Sequence, residues 1–167
     1  MPILFYQRLL ILLPVIFSLL LISACSSIIS STTGKMADNL SYTILNSDDP
    51  KTIADGAPAY LLLMDSFLVD SDKDVHLLQS AATLYGAYSS IFVIDPERSA
   101  KMSRKALSYA QQSLCLTDKQ LCNLRETDFN LFSQQVKLIN KDSIQAWYVS
   151  ASNWAGWIKA NSGSMAA

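Results

Sequence analysis

The chain has 167 residues, with 13 Lys and Arg against 14 Asp and Glu, and a formal net charge of −1. This length fits one domain with a modest core. The nearly balanced charge offers no basic field for nucleic acid, whose binding depends on clustered Lys and Arg. One His and three Cys leave too few soft ligands for a zinc or iron–sulfur site. We therefore expect neither a metal nor another cofactor.

The N-terminal segment 1–24 has the pattern of an export signal. Arg8 supplies the positive charge, and the apolar run Leu9–Leu21 is shorter than the ~20 residues that cross a bilayer. The run leads into a bulky aliphatic residue, two small residues and a cysteine, Ile22-Ser23-Ala24-Cys25. This order is typical of a bacterial lipobox, whose cysteine thiol carries the lipid. The alternative is an ordinary signal peptide followed by a coincidental cysteine.

Lipidation of Cys25 would anchor the mature chain to a membrane, because each buried CH₂ group contributes about 0.8 kcal/mol. Ser26 follows the cysteine in place of Asp, which in a Gram-negative cell favours release to the outer membrane. Residues 25–34 are small and hydroxyl-rich and are predicted to form a flexible tether. The sequence therefore predicts a periplasmic domain over residues 35–167 that is held at the outer membrane.

Beyond the tether, apolar residues recur at helical rather than alternating spacing, which predicts an all-α domain. A first helix is predicted over residues 35–45. Asp49 followed by Pro50 predicts the start of a second helix, because Asp caps a helix and Pro suits its first position. Gly56 and Pro58 predict a kink or a break inside that second segment.

Four further helices are predicted, joined by short turns. They cover residues 75–93, 95 to about 114, 127–139 and 142 to about 160. The helix over residues 75–93 is apolar over a wide arc, which indicates packing on two sides. Six antiparallel helices of this kind favour stacked pairs, as in a tetratricopeptide (TPR)-like solenoid, over a closed four-helix bundle.

Two cysteines stand near the predicted turn between the fourth and fifth helices. Cys115 and Cys122 are expected to form a disulfide in an oxidising periplasm. Closing so short a loop would contribute about 2–3 kcal/mol to stability. The alternative is a pair of inert buried thiols. No further soft ligand stands nearby, so we expect no metal site here.

The last helix carries an aromatic stripe. Trp147 and Trp154 are seven residues apart and share a face, with Asn153 beside them. The stripe is either core or one side of an open groove for an apolar ligand, in which Asn153 is a polar handle. Asp65 interrupts an apolar run of an earlier helix. It is either exposed at a helix edge or a cleft carboxylate that orients a ligand or partner.

The remaining charged candidates are expected to be solvated. His76 lies near a helix start, and Arg98, Lys101, Arg104 and Lys105 form a basic cluster. If that cluster instead docks an acidic partner, the association will be sensitive to salt. The sequence shows no nucleophile–base pattern, no phosphate-binding glycine loop and no carboxylate pair in an apolar context. We therefore do not expect an enzyme.

Several stretches together resemble one family. They are the lipobox and the segments Asp55–Asp65, Ala81–Tyr88 and Ala100–Tyr109. The stretches are similar to T-components of TRAP (tripartite ATP-independent periplasmic) transporters, a family of periplasmic, TPR-like lipoproteins. Members of this family usually continue with further helix pairs. The chain is therefore expected to be either a C-terminal truncation or a short member.

The resemblance implies an accessory protein of a solute uptake system that docks the periplasmic substrate-binding protein. It also implies a homotrimer and a helical cleft that accommodates an apolar ligand. The candidate cleft residues are Tyr60, Asp65, Tyr88, Trp147, Asn153 and Trp154. The alternative is a TPR-like adaptor of the outer membrane that serves envelope assembly and has no small-molecule ligand.

Overall fold

The structure, a computed structural model, describes residues 35–36 and 38–165. The chain divides into two units, Met1–Met36 and Ala37–Ala167. Residues 35–36 of the first unit are helical. The predicted export signal, the lipidation site Cys25 and the tether over residues 25–34 lie outside the described residues.

The described residues of the second unit form helices joined by turns, with no strand among them. The helices are α1 (38–45), α2 (Pro50–Asp70), α3 (Val75–Phe92), α4 (Pro96–Thr117), α5 (Phe129–Lys137) and α6 (Ile144–Met165). Two 3₁₀ turns, Lys119–Leu121 and Leu124–Glu126, lie between α4 and α5. The predicted all-α class is confirmed. The TPR-like stacking stays a prediction.

Four of these helices begin where an aspartate carboxylate accepts hydrogen bonds from backbone N–H groups of the first turn. The four caps are Asp49, Asp74, Asp95 and Asp128. Pro50 and Pro96 follow two of the caps, at positions where a missing N–H removes no helical bond. The helix starts predicted at Asp49 and Asp95 are therefore confirmed.

Of the kink or break predicted at Gly56 and Pro58, the break is wrong, because α2 runs without interruption from Pro50 to Asp70, and the kink stays a prediction. Proline has no N–H, so the carbonyl of Ala54, four residues earlier, loses its usual helical donor. The hydroxyl of Tyr88 in α3 donates to that carbonyl over 3.1 Å. A neighbouring helix thus replaces the hydrogen bond that proline removes.

The α3–α4 pair lies at the centre of the packing, with α2 against α3 and α6 against both α4 and α3. The main core cluster lies among α2, α3 and α4. Its most deeply buried members are Met64, Leu77, Leu78, Ala81, Leu84 and Ala106. The helix predicted to pack on two sides, α3, therefore supplies most of these residues.

A second cluster lies at the other end of α4. It consists of Leu114, Leu121, Leu124, Ala146 and Trp147, with Phe132 and Ile139 packed against it. The two 3₁₀ turns and α6 supply most of these residues. The connection between α4 and α5 is therefore a part of the core.

Cys115 and Cys122 are paired as a disulfide in the structure, with Cα atoms 4.2 Å apart. Cys115 lies inside α4 rather than in the turn, because α4 extends to Thr117 and not only to residue 114. Cys122 directly follows the first 3₁₀ turn. The bridge therefore ties the end of α4 to the turn that carries the buried Leu121.

Candidate functional site

An apolar cavity of about 190 Å³ lies among α1, α2 and α3. Ile44 and Leu45 at the end of α1 line one side, and α2 and α3 supply most of the remaining lining. None of its lining residues carries a charge, and the polar side-chain atoms on it are the hydroxyls of Ser47, Tyr60 and Tyr88. An ion in such a place would lose water without gaining a partner. The cavity therefore favours a neutral apolar group.

Two alanines on the cavity wall, Ala57 and Ala87, explain why there is room between these helices. Ile53, Ala57 and Leu61 recur every four residues and line the cavity from one face of α2. Ala87 lines it from α3. Alanine side chains at two facing positions leave space that larger residues would fill. A cavity of ~150 Å³ takes benzene, so this one has room for a somewhat larger ring system.

Two tyrosines on the cavity wall have different surroundings. Tyr88 is 8% exposed, its hydroxyl donates to the Ala54 carbonyl, and its ring lies 5.5 Å from that of Phe92. Tyr60 is 40% exposed. Tyr88 is therefore a part of the wall that also supports α2, whereas Tyr60 is open to solvent or a ligand.

Asp65 lies in a polar cluster and not in the cavity. Its carboxylate accepts hydrogen bonds from the hydroxyls of Tyr85 and Tyr109, each over 2.7 Å, and from the ammonium of Lys105. The ammonium also lies 4.7 Å from the ring centroid of Tyr85 and 5.7 Å from that of Tyr109. The cluster joins α2 to α3 and α4.

This cluster shifts the pKa of three of its members. Burial opposes the charge of Asp65, but hydrogen bonds from Lys105, Tyr85 and Tyr109 outweigh it and hold the pKa of Asp65 below its usual value. Burial, followed by the hydrogen bond to Asp65, raises the pKa of Tyr109 to about 12. The same two causes raise the pKa of Tyr85. At neutral pH the carboxylate is charged and both phenols are protonated.

The aromatic stripe of α6 lies against α5 and the second 3₁₀ turn. The ring of Phe132 in α5 is 6.3 Å from that of Trp147 and 6.4 Å from that of Trp154, both edge-on. The guanidinium of Arg125 lies 4.8 Å from the ring centroid of Trp157 and 5.9 Å from that of Trp154. Trp147 is buried, so it belongs to the core rather than to an open groove.

Asn153 is 7% exposed and lies where α6 approaches α3. Its Nδ2 donates to the Val149 carbonyl over 2.9 Å. A Cβ atom added to Gly86 would stand 2.3 Å from the Asn153 Oδ1. The glycine therefore allows the close approach of the two helices, and Asn153 fills the space beside it.

The six predicted cleft residues do not meet in one place. Tyr60 and Tyr88 line the cavity, Trp147 and Trp154 both contact Phe132, and Asp65 and Asn153 lie elsewhere. The sequence analysis missed the partners of Asp65. One polar residue in an apolar run signals a buried contact, but residues 20 to 44 positions away in the chain cannot be paired from spacing.

The charged candidates separate into two groups. His76, Arg98, Lys101 and Arg104 are exposed. Lys105 departs from the predicted basic cluster, because its ammonium binds Asp65. Over residues 35–36 and 38–165, no group of three or more His, Cys, Asp or Glu side chains is placed to hold a metal ion.

By length and composition, one segment of the described chain is apolar enough to cross a membrane, Pro50–Val69 in α2. Core helices of soluble proteins have the same property. Ala57, Leu61 and Met64 of this segment are buried against the other helices of the unit. The side of α2 that carries these residues packs in the main core cluster, while 22% of the apolar window is buried.

Comparison with known proteins gives one match. A family model described as TRAP transporter T-component (TAtT) matches residues 46–167, more than half of the chain. No curated protein and no solved structure is significantly similar to this chain. The matched segment contains α2 to α6 and every predicted cleft residue.

Proposed function

Since this chain belongs to the TRAP transporter T-component family, we propose that it is a lipid-anchored accessory protein of a TRAP system that docks the substrate-binding protein. Family membership makes the chain a component of a TRAP transporter, associated with the membrane or the periplasm. The finer parts of the proposal are the lipid on Cys25, the outer-membrane location, a TPR-like homotrimer, and a neutral apolar ligand in the α1–α3 cavity. In this role the protein binds the substrate-binding protein and a ligand and catalyses no reaction.

The TPR-like arrangement is supported by the centre of the fold. The short segment 93–95 joins α3 to α4, and these two helices pack against each other, with α2 against α3 and α6 against both. Stacked helix pairs of this kind provide extended surfaces for binding partners. Such a surface suits a protein that brings a binding protein to a transporter.

The observation that carries the ligand proposal is the uncharged lining of the cavity. Apolar pockets with a few polar groups are the usual small-molecule sites of proteins. Here the hydroxyls that can orient a ligand belong to Ser47 and Tyr60, both exposed residues. A ligand of this site is therefore apolar and neutral, with few polar contacts to fix its orientation.

Naphthalene is a suitable probe of the cavity, and isoleucine methyl groups are suitable reporters. In the full chain held in lipid nanodiscs, naphthalene should shift the NMR methyl signals of Ile44, Ile53 and Ile91, which line the cavity. The signals of Ile94 and Ile158 should not move, because these residues lie outside it. Naphthalene-1-sulfonate has the same ring system with a charge and should produce no shift at comparable concentration.

Two leucine variants provide a matched pair. Ala87→Leu places a larger side chain on the cavity wall and should abolish the shifts. Ala59→Leu makes the same change at an exposed position of α2 and should preserve them. If naphthalene shifts none of the lining methyls of the wild type, or shifts them equally in both variants, the ligand proposal is wrong and the envelope-adaptor alternative gains support.

The lipid anchor is tested separately. Cys25→Ser should release the protein from the membrane fraction or leave it unprocessed, because the acylated thiol would be missing. Membrane partitioning and intact mass measure this directly. An unchanged mass and partitioning would show that Cys25 is not the anchor. Native mass spectrometry of the extracted protein would also show whether it is a trimer.

A further inference from the structure

The two halves of α2 are held in different ways. In the second half, Met64 and Leu68 are buried, and Asp65 binds groups from two other helices. In the first half, residues 50–57, the described hydrogen bond that arrives from another helix is the one from Tyr88 to the Ala54 carbonyl. Ala57 is buried in the main core cluster, but the first half receives fewer of the described hydrogen bonds from other helices than the second.

The junction between the halves is intrinsically weak. Pro58 lacks the N–H that would bind the Ala54 carbonyl. Gly56 adds further freedom, because glycine is a much poorer helix former than alanine. A Cβ atom added to Gly56 would meet nothing within 4 Å. Packing therefore does not demand glycine at this position, and its effect is on the flexibility of the helix.

The weakly held half is also a wall of the cavity. Pro50, Ile53 and Ala57 line the cavity from α2, and Tyr88 lines it from the facing helix. A movement of residues 50–57 away from α3 would open the cavity between them. That movement would break the hydrogen bond from Tyr88 to the Ala54 carbonyl.

We propose that residues 50–57 are a hinged gate of the α1–α3 cavity, with the hinge at Gly56–Pro58 and the Tyr88 hydroxyl as its latch. The inference rests on the proposed ligand cavity and adds how a ligand enters it. Tyr88 acts here as a positioning residue through the backbone of α2. Local opening of weakly held segments is a general property of proteins, and sites that admit ligands are often found in them.

Hydrogen exchange of the ligand-free full chain tests the latch. Tyr88→Phe keeps the ring and removes the hydroxyl, so amide exchange over 50–57 should become about fivefold faster. Exchange over 62–69 should stay unchanged. Tyr85→Phe is the matched control on the same helix, since its hydroxyl binds Asp65. That variant should leave exchange over 50–57 unchanged.

A second variant tests the hinge. Pro58→Ala supplies an N–H to the Ala54 carbonyl, which then keeps a donor when Tyr88 loses its hydroxyl. In the Pro58→Ala background, Tyr88→Phe should therefore change exchange over 50–57 by less than about twofold. The gate is disproved if Tyr88→Phe has the same effect in both backgrounds, or if it raises exchange equally along all of α2.

The gate and the ligand proposal fail in distinguishable ways. If the gate operates, Tyr88→Phe should also accelerate naphthalene release, read from the line shapes of the Ile53 and Ile91 methyl signals, by about fivefold. If naphthalene shifts no methyl signals but Tyr88→Phe gives the predicted exchange pattern, the ligand proposal is rejected and the gate is retained. If the methyl signals shift but Tyr88→Phe does not change exchange over residues 50–57, the ligand proposal is retained and the gate is rejected.

Discussion

Asp65 is held by donors from α3 and α4, and this makes one carboxylate important for how three helices are joined. Each donor comes from a different side chain, so the loss of the carboxylate would leave several polar groups without their partner. A buried polar group without a partner costs more than the hydrogen bond itself contributes. The stability of the fold should therefore respond to the charge of Asp65.

We expect Asp65→Asn to lower the free energy of unfolding at neutral pH by about 1–3 kcal/mol. The pKa of Asp65 is lowered in the fold, so the unfolded chain binds the proton first as the pH falls. The Asp65 carboxylate makes its full contribution to stability above the pKa of about 3.9 that it has in the unfolded chain. This contribution is lost as the pH falls through the lower pKa that Asp65 has in the folded protein. Urea unfolding measures the free energy of unfolding of the wild type and of Asp65→Asn, and the difference between the two should narrow below about pH 4. A difference that does not depend on pH would contradict this prediction.

The effect of Gly86→Ala on stability should change sign when Asn153 is also replaced by alanine. Gly86→Ala should destabilise the wild type by about 1–3 kcal/mol, because the new Cβ would stand 2.3 Å from the Asn153 Oδ1. In an Asn153→Ala background the same change should stabilise by up to about 1 kcal/mol, since alanine favours helix. Thermal unfolding measures both. Gly56→Ala, which meets open space, is the control and should stabilise. If Gly86→Ala lowers stability equally with and without Asn153, the predicted clash between the new Cβ and the Asn153 side chain does not occur.

At the scale of elements, α5 shows how tertiary contacts hold a short helix. Its N-cap, Asp128, fixes where it begins. Phe132 contacts two tryptophans of α6, while Phe129 is 79% exposed. Isolated helices as short as α5 are unstable in water, so tertiary contacts must supply its stability.

The two phenylalanines of α5 form a matched pair. Phe132→Ala should lower the free energy of unfolding by about 2–3 kcal/mol, because it removes a ring that packs on Trp147 and Trp154. Phe129→Ala should change it by less than about 0.5 kcal/mol. Tryptophan fluorescence during urea unfolding follows both variants. Similar losses in the two would show that α5 does not dock through Phe132.

The disulfide gives the second prediction at this scale. Non-reducing peptide mapping of the native protein should recover Cys115 and Cys122 as a linked pair. A variant with both residues changed to serine should lose about 2–3 kcal/mol, because the closed loop no longer restricts the unfolded chain. Two thiols that alkylate freely in the native protein would exclude the bridge.

The sequence predicts local features of this fold well and distant ones poorly. Capping aspartates followed by proline mark the starts of α2 and α4, because both signals act within one turn. The break at Pro58 was wrong because its remedy, the Tyr88 hydroxyl, comes from 34 residues away. The partners of Asp65 were missed for the same reason. The 3₁₀ turns were not predicted either, since tertiary packing of Leu121 and Leu124 decides their shape.

At the scale of the whole molecule, α4 presents an exposed basic row. Arg98, Lys101 and Arg104 recur every three residues on its outer side, and all three are exposed. Lys105 is occupied by Asp65 and does not contribute a free charge. A row of this kind suits an acidic partner surface, and such contacts mainly affect association rates and salt dependence.

We expect the row to contribute to the proposed docking of a substrate-binding protein. Changing Arg98, Lys101 and Arg104 together to glutamate should weaken capture of that protein by at least about tenfold at low salt, and added salt should weaken the wild type. The control changes Lys73, Lys137 and Lys141 to glutamate, which alters the net charge equally. Surface plasmon resonance compares them. Equal loss in both variants would mean that overall charge, not this row, governs docking.

One line of side chains along α4 joins the hydrophobic clusters of the molecule. Ala106, Ala110 and Leu114 are spaced four residues apart and almost completely buried. Ala106 belongs to the main cluster, Leu114 to the second, and Ala110 to a third that it forms with Ala82 and Val149. The cooperativity of melting should therefore depend on the continuity of this helix. An intact α4 makes the clusters melt in a single transition, whereas a proline in its middle would divide that transition into two.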